Sequence, residues 1–161
     1  MTRPDDPRIG PEFSDPELRS KISLLLRFAD VECDLRAAMM TKVRKQRDKL
    51  MRRAKEHLAG LLRDRPGDAE LAQARGELGQ AMRGLGRRGA LSDALEILVA
   101  KRRAARVEVD ARGAAVGTPV PPLSVFTDPA AAAIAQAKMD RVAAEHPSLD
   151  AFDASLRRGQ N

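Results

Sequence analysis

Apolar residues recur every three, four or seven positions through the first sixty residues of the chain, which is the period of one face of an α-helix. They are Leu18, Ile22, Leu25, Phe28, Leu35, Met39, Val43, Leu50, Ala54, Leu58 and Leu61. A straight helix of about fifty residues would be about 75 Å long, far longer than a compact domain of this size. Either the helix breaks near Thr41, or it is continuous, projects from the domain and packs on other chains. Of the two, we expect the break, which gives a helical hairpin or a bent pair of helices.

Start and stop signals extend this helical pattern along the chain. Ser14 with Glu17 three residues later predicts a capping box at the first helix start. Pro66 and Gly67 predict the end of a helix, and Asp68 predicts the cap of the next one. Ser92 and Asp93 predict the start of a further helix. The apolar residues expected on its buried side are Leu95, Leu98, Val99 and Val107.

These signals predict an all-α fold, a helical bundle with a long N-terminal helix or helical hairpin. Residues 1–13 are rich in proline and glycine and predict a flexible N-terminal arm. Residues 14–112 form the predicted basic helical bundle, and residues 113–126 a Pro/Gly linker. Residues 127–161 predict a C-terminal helical segment that packs on the bundle or on a partner.

The composition changes the expected character of the core. The chain has four Phe and no Trp or Tyr, so the core has to rest on aliphatic side chains, which suits helix-to-helix packing. Charge is strongly segregated: residues 1–41 carry a net charge of −2, residues 42–112 carry +9 and residues 113–161 carry −1. This asymmetry indicates a middle segment that binds a polyanion.

The densest basic segment lies between Lys42 and Lys55, where eight of fourteen residues are cationic and one is acidic. On a helix, Lys45, Lys49 and Arg52 share one face. The candidate nucleic-acid-binding residues of this segment are Lys42, Arg44, Lys45, Arg47, Lys49, Arg52, Arg53 and Lys55. A second candidate patch consists of Arg87, Arg88, Lys101, Arg102, Arg103 and Arg106.

A basic helix of this kind fits a nucleic-acid backbone, a membrane surface or an acidic partner helix. The membrane interpretation is disfavoured because the apolar face opposite the charges is thin. Without aromatic stacking platforms, nucleic acid would be bound through phosphates, with little sequence readout and steep salt dependence. RNA and DNA, and single strand and duplex, all remain compatible with this prediction.

Residues with catalytic or metal-binding chemistry are sparse. The two histidines, His57 and His146, lie far apart in sequence and have no ligand-spaced partners, so we expect no enzyme, no metal and no cofactor. Asp30 and Asp34 share a helix face and could form half of a divalent-metal site or an acidic patch for a neighbouring subunit. We expect them to be solvated surface residues, and Cys33 to pack as a small apolar residue.

No signal peptide or transmembrane stretch is evident, so a cytoplasmic protein is expected. In size, helicity and basicity the whole chain resembles the small helical subunits of multi-subunit CRISPR effector complexes. That resemblance is one of profile. It implies a non-enzymatic helical bundle that contacts the nucleic-acid backbone within a larger ribonucleoprotein assembly, with other subunits as partners. The alternatives are a homo-oligomeric phage-like DNA-packaging or scaffold protein, and a helical adaptor or regulator that binds an acidic protein partner.

Overall fold

The computed structural model describes residues 6–84, 89–127, 141 and 144, and this part of the chain is helical without strands. Its helices are α1 (Pro16–Met40), α2 (Arg44–Asp64), α3 (Ala69–Met82), α4 (Ala90–Val116) and the short α5 (Ser124–Thr127). The chain divides into two compact units, Met1–Val120 with α1 to α4 and Pro121–Asn161 with α5. The all-α prediction is confirmed. The helices expected after residue 127 lie outside the described residues.

The first helix begins one residue later than the sequence indicated. Asp15, not Ser14, is the N-cap, and its Oδ2 accepts a hydrogen bond from the Leu18 backbone N–H at 2.9 Å. The reason is Pro16, because proline is favoured at the first helical position, where no N–H is needed. The residue before the proline therefore takes the capping position.

The predicted break near Thr41 is confirmed. α1 ends at Met40, and Thr41 has an extended backbone with φ −84° and ψ 125°. Its Oγ1 donates a hydrogen bond to the Ala37 carbonyl oxygen at 2.6 Å, which occupies one of the acceptors left free at the helix end. α2 then starts at Arg44, so Lys42 precedes the helix that it was expected to extend.

The stop and restart after α2 is also confirmed. α2 ends at Asp64, and Asp68 caps α3 by accepting a hydrogen bond from the Leu71 backbone N–H at 3.1 Å. α4 starts at Ala90, two residues before the predicted Ser92. The cause is Gly89, whose φ of +92° lies in the left-handed region, where glycine carries no steric cost.

α4 runs on to Val116, four residues into the range expected to be a linker. Gly113 permits this arrangement, because a Cβ there would lie 2.7 Å from the Thr118 carbonyl oxygen. The Thr118 N–H donates to the Gly113 carbonyl oxygen at 2.9 Å, and Gly117 ends the helix with a φ of +72°. The chain thus turns back tightly over the end of α4.

Ion pairs define the directions of the helices around α1. Arg112 of α4 binds Asp15 at the start of α1, and Glu108 binds Lys21 two turns along. α4 is therefore antiparallel to α1.

α2 is also antiparallel to α1, because its C-terminal Asp64 binds Arg27 while Arg53, eleven residues earlier, binds Asp34 further along α1. α3 packs against α2 and α4, which completes an up-down-up-down arrangement of four helices.

The core is aliphatic, as the composition indicated. Its largest fully buried side chains are Leu18, Ile22, Leu25, Leu26, Val31, Leu35, Leu58, Leu61, Leu71, Leu78, Leu98 and Val109. Two expected core positions, Met39 and Val43, are 47% and 54% exposed because they flank the turn where the hairpin reverses. On α4, Val107 is 68% exposed and Val109 is buried in its place.

Candidate nucleic-acid interface

The turn between α1 and α2 forms an uncovered end of the bundle. We call residues 39–50 the hairpin tip: none of them is buried, whereas Ala38 before them and Met51 after them are. Met40 is 83% exposed. The tip includes the first seven residues of α2, which is about 10 Å of helix.

Arg47 shows that the tip extends past the packed part of the bundle. It lies four residues before Met51 and seven before Ala54, so it continues the helix stripe that is buried at those two positions. Arg47 is nevertheless exposed, because the neighbouring helices do not cover this turn of α2. The basic segment therefore begins where the core ends.

The tip and the turn that follows it carry cations that face solvent. Five on α2 are exposed and have no carboxylate within ion-pair distance in the part of the chain described: Arg44, Lys45, Arg47, Lys49 and Arg52. Lys42 is exposed just before the helix, and Lys55 is half-buried against α3, with its Nζ 3.9 Å from the position of a Cβ on Gly79. The sequence thus predicted correctly that α2 is rich in exposed positive charge.

The five exposed cations cover a wide arc of the helix. At about 100° per residue, Lys45 and Lys49 lie about 40° apart, and Arg47 and Lys49 lie about 200° apart. Arg44 and Arg52 fall inside this 200° arc, with Arg47 at one edge and Lys49 at the other. The remaining side of the helix continues to Arg53, which contacts α1.

The start of α2 adds partial positive charge to these side chains. Val43 is the N-cap and makes no side-chain hydrogen bond, and the first turn of this described helix contains no acidic residue. The free N–H groups and the helix dipole make an N-terminus positive, which disfavours nearby cations such as Arg44 and Lys45. An anion bound there would relieve this repulsion.

Arg53 has a different role from its neighbours in the basic segment. Its Nη2 donates to Oδ1 of Asp34 at 2.6 Å, and this hydrogen bond raises the pKa of the Arg53 guanidinium. His57 Nδ1 lies 3.5 Å from the other oxygen of Asp34. Arg53 therefore ties α2 to α1, and its charge is largely compensated within the chain.

The second candidate patch is brought onto α4, but most of its described cations have partners. Lys101 Nζ donates to Oδ2 of Asp68 at 2.7 Å, and Arg102 forms an ion pair with Glu32. Arg103 is exposed. Arg87 and Arg88 lie outside the described residues.

Arg106, the last residue of that patch, is also engaged. Its Nη2 donates to the Val120 carbonyl oxygen at 2.7 Å and lies 2.9 Å from Oδ1 of Asp110. The α4 cations therefore hold the bundle together at three positions, and the uncompensated charge of the described chain is concentrated on α2.

The acidic residues of α1 are structural, which corrects the expectation that they are solvated. Asp34 and Glu32 are only 6% and 5% exposed, and Asp30 binds Arg8 at 2.9 Å. The reason is that an arginine from another part of the chain binds each carboxylate and compensates its negative charge. The described residues contain no cluster of His, Cys, Asp or Glu that could hold a metal ion.

Cys33 does not pack as an apolar residue. Its neighbours Glu32 and Asp34 face α4 and α2, so Cys33 lies on the opposite side of α1 and is exposed. Partial burial and the charges of Glu32, Asp30 and Asp34 raise the pKa of its thiol. It therefore stays protonated at neutral pH, which makes it a weak nucleophile.

None of the described helices is long and apolar enough to cross a membrane. Comparisons of the chain with protein-family profiles, with curated proteins and with solved structures found no match in any of the three. The geometry and the charge of its own residues are therefore what indicate a function for this protein.

Proposed function

We propose that the protein is a non-enzymatic helical subunit that binds the phosphate backbone of a nucleic acid through the basic face of α2, within a larger nucleoprotein assembly. The residues that carry this function are Arg44, Lys45, Arg47, Lys49 and Arg52, with Lys42 beside them. Arg53 serves the fold instead of the ligand. Arg103 is the α4 cation most available for a secondary contact.

One observation supports this proposal above the others: five exposed cations without carboxylate partners in the described chain lie within nine residues of one helix. Elsewhere in the described bundle, several arginines are matched with carboxylates, as Arg102 is with Glu32 and Arg112 with Asp15, and the other exposed arginines, such as Arg75 and Arg103, do not form a comparable cluster. Most of the cations between the helices are paired with carboxylates, whereas those at the start of α2 are exposed and close together. Such a concentration of positive charge is suited to binding a polyanion.

Membership in an assembly is supported by the profile of the chain: its length, its helicity and its basic middle segment. Affinity purification from the native host, with and without nuclease, tests this part. Recovery of defined partner subunits that depart after nuclease treatment supports a nucleoprotein component. Recovery of the chain alone, with no nucleic acid and no other subunit, contradicts it.

A second candidate function, an adaptor for an acidic protein, is favoured by the exposed apolar side chains of the tip. Met39, Met40 and Val43 lie beside the cations, as a mixed apolar and basic contact surface requires. The two functions differ in their salt dependence. A backbone contact releases counterions and weakens steeply and linearly with log salt, whereas a protein contact that buries apolar side chains loses less affinity.

The direct test is equilibrium binding of the purified chain to a fluorescently labelled nucleic acid over a range of salt concentrations. If five cations contact phosphates of a duplex, the slope of log K against log salt is about −4.5, from about −0.9 per contact. A slope near zero, or no binding at low salt, contradicts the proposed function.

A further inference from the structure

Large hydrophobic side chains are exposed at two places on the described bundle. Three of them lie in the hairpin tip, where Met39, Met40 and Val43 are 47%, 83% and 54% exposed. The fourth is Val107 of α4, which is 68% exposed. Large apolar side chains that are exposed together and flanked by charges are typical of a protein contact surface.

Val107 lies on a helix stripe that leads to a cavity. Asp110 and Ala114 follow it three and seven residues later, so the three residues share one face of α4. A cavity of about 290 Å³ lies beside the end of this stripe, between α4 and the chain that turns back after it. Its lining consists of Asp110, Gly113, Ala114, Gly117, Pro119 and Val120. Because only Asp110 among these is charged, the cavity is suited to an apolar side chain.

The tip and the cavity lie at opposite ends of the bundle. Arg112, beside the cavity, binds Asp15 at the start of α1, whereas Met40 is the last residue of that 25-residue helix. At 1.5 Å per residue the helix is about 37 Å long. The tip of one copy therefore cannot reach its own cavity, but it can reach the cavity of a second copy.

The two ends of the bundle carry opposite net charge. The hairpin tip has five cations and one carboxylate. The cavity end consists of residues 12–17 and 106–117, which the ion pair between Arg112 and Asp15 joins, and it has five carboxylates and two cations. The net charges of +4 and −3 attract each other when these ends of two copies meet.

We infer that the protein associates with itself head to tail, with Met40 of one copy inserted into the cavity at the end of α4 of the next copy. Met39 and Val43 then lie against the Val107 stripe. The cavity has room for this insertion, because the four heavy atoms of a methionine side chain take about 120 Å³ at about 30 Å³ each, the volume of a water molecule.

The two contact surfaces are different, so a pair of copies keeps one free tip and one free cavity end. The same contact then repeats into a ring or a filament. This inference goes beyond the proposed function and does not depend on it, because no nucleic acid takes part in the contact.

Sedimentation velocity of the full chain, freed of nucleic acid, measures this association at low salt and at protein concentrations up to about 1 mM. Interference optics suit the experiment because the chain has no Trp or Tyr. We expect species larger than a dimer that dissociate as salt is added, since salt screens the attraction between the charged ends. A wild type that stays monomeric leaves the tip to another protein and overturns the inference. Association that stops at the dimer indicates a symmetric contact and overturns it as well.

Two variants with complementary defects identify the surfaces that meet. Met40→Glu places a charge on the tip and Ala114→Arg fills the cavity, so each variant alone should be monomeric. An equal mixture should form dimers and nothing larger, because it retains one intact tip and one intact cavity for each pair. Gln73→Glu and Gln73→Arg, at an exposed position of α3, are the matched controls and should assemble as the wild type does. Assembly of either defective variant alone, or a mixture that stays monomeric, contradicts head-to-tail association.

Discussion

Arg53 Nη2 donates a hydrogen bond to Oδ1 of Asp34 across 2.6 Å and so joins α2 to α1 just below the hairpin tip. The adjacent Arg52 carries the same charge, is also exposed, and has no carboxylate partner in the described chain. Two neighbouring arginines of one basic segment thus have separate roles. One stabilises the fold, and the other is available to a ligand.

This difference predicts opposite outcomes for the same substitution at adjacent positions. Arg53→Glu should lower the free energy of unfolding by about 1–3 kcal/mol, because it removes a hydrogen bond to a charged group and places a second carboxylate beside the buried Asp34. Arg52→Glu should change it by less than about 0.5 kcal/mol. Urea denaturation followed by circular dichroism measures both, and equal losses would show that Arg53 is not a structural residue.

Loss of the Glu32 carboxylate should destabilise the bundle, because this charged group is buried between two arginines. It is 5% exposed and bound by Arg36 on its own helix and by Arg102 of α4. Glu32→Gln should destabilise the protein by about 1.5–3 kcal/mol, because it leaves the Arg102 guanidinium without its counter-charge. The exposed Glu96 of α4 is the control, and Glu96→Gln should cost less than about 0.5 kcal/mol in the same urea experiment. Similar costs for both would contradict the role of Glu32.

Two helical glycines should respond to alanine in opposite directions. At Gly113 a Cβ would lie 2.7 Å from the Thr118 carbonyl oxygen, so Gly113→Ala should destabilise by about 1–3 kcal/mol as the turn after α4 is displaced. At Gly76 no atom lies within 4 Å of the new Cβ, so Gly76→Ala should stabilise by about 0.5–1 kcal/mol. Thermal unfolding of the two variants checks this, and a stabilising Gly113→Ala would refute the tight turn.

Acid should destabilise the bundle through its ion-paired aspartates. The hydrogen bond from Arg112, aided by the Leu18 backbone N–H, lowers the pKa of Asp15 below its ordinary value of 3.8. A lowered carboxyl pKa stabilises the folded state above that ordinary value, and the contribution is lost as pH falls through the folded pKa. Stability should therefore fall as pH drops below about 4.

The Asp15 contribution can be isolated, because asparagine also caps helices well. Asp15→Asn should reduce the loss of stability between neutral and acidic pH, and Arg112→Gln should reduce it by a similar amount. Arg112 also binds Glu17 at 3.1 Å, so the double variant should be no less stable at neutral pH than Arg112→Gln alone, which already removes both ion pairs. Unfolding midpoints in urea across this pH range give the comparison. An unchanged acid sensitivity in Asp15→Asn would contradict it.

The sequence predicted the fold well where local chemistry decides the outcome. The break at Thr41 follows from the limit that a compact domain sets on helix length, and the cap at Asp68 follows from residues within a few positions of it. The starts of α1 and α4 were displaced by one and two residues. Proline at 16 and a left-handed glycine at 89 determined those boundaries more strongly than the nearby serines did.

Prediction was poorer wherever the outcome depends on another helix. Asp34 and Arg53 are nineteen residues apart in sequence, and nothing local marks them as a pair. The same is true of Glu32 and Arg102, which are separated by seventy residues. The spacing of residues in the sequence indicates which of them share a helix face. It does not indicate whether a cation on that face meets a partner helix or solvent, because that depends on how the helices pack. For this reason the sequence alone does not distinguish Arg53 and Arg102 from the exposed cations.

If the exposed cations on α2 bind a nucleic-acid backbone, reversing the charge of two of them should remove most of the binding. Lys49→Glu with Arg52→Glu changes two exposed residues of the basic face. Arg63→Glu with Arg75→Glu makes the same change of net charge at exposed positions elsewhere. Both proteins should retain the helical circular dichroism of the wild type. In anisotropy titrations with labelled duplex DNA at low salt, the first variant should lose at least 30-fold in affinity and the second less than threefold. Equal affinities of the two variants would contradict it.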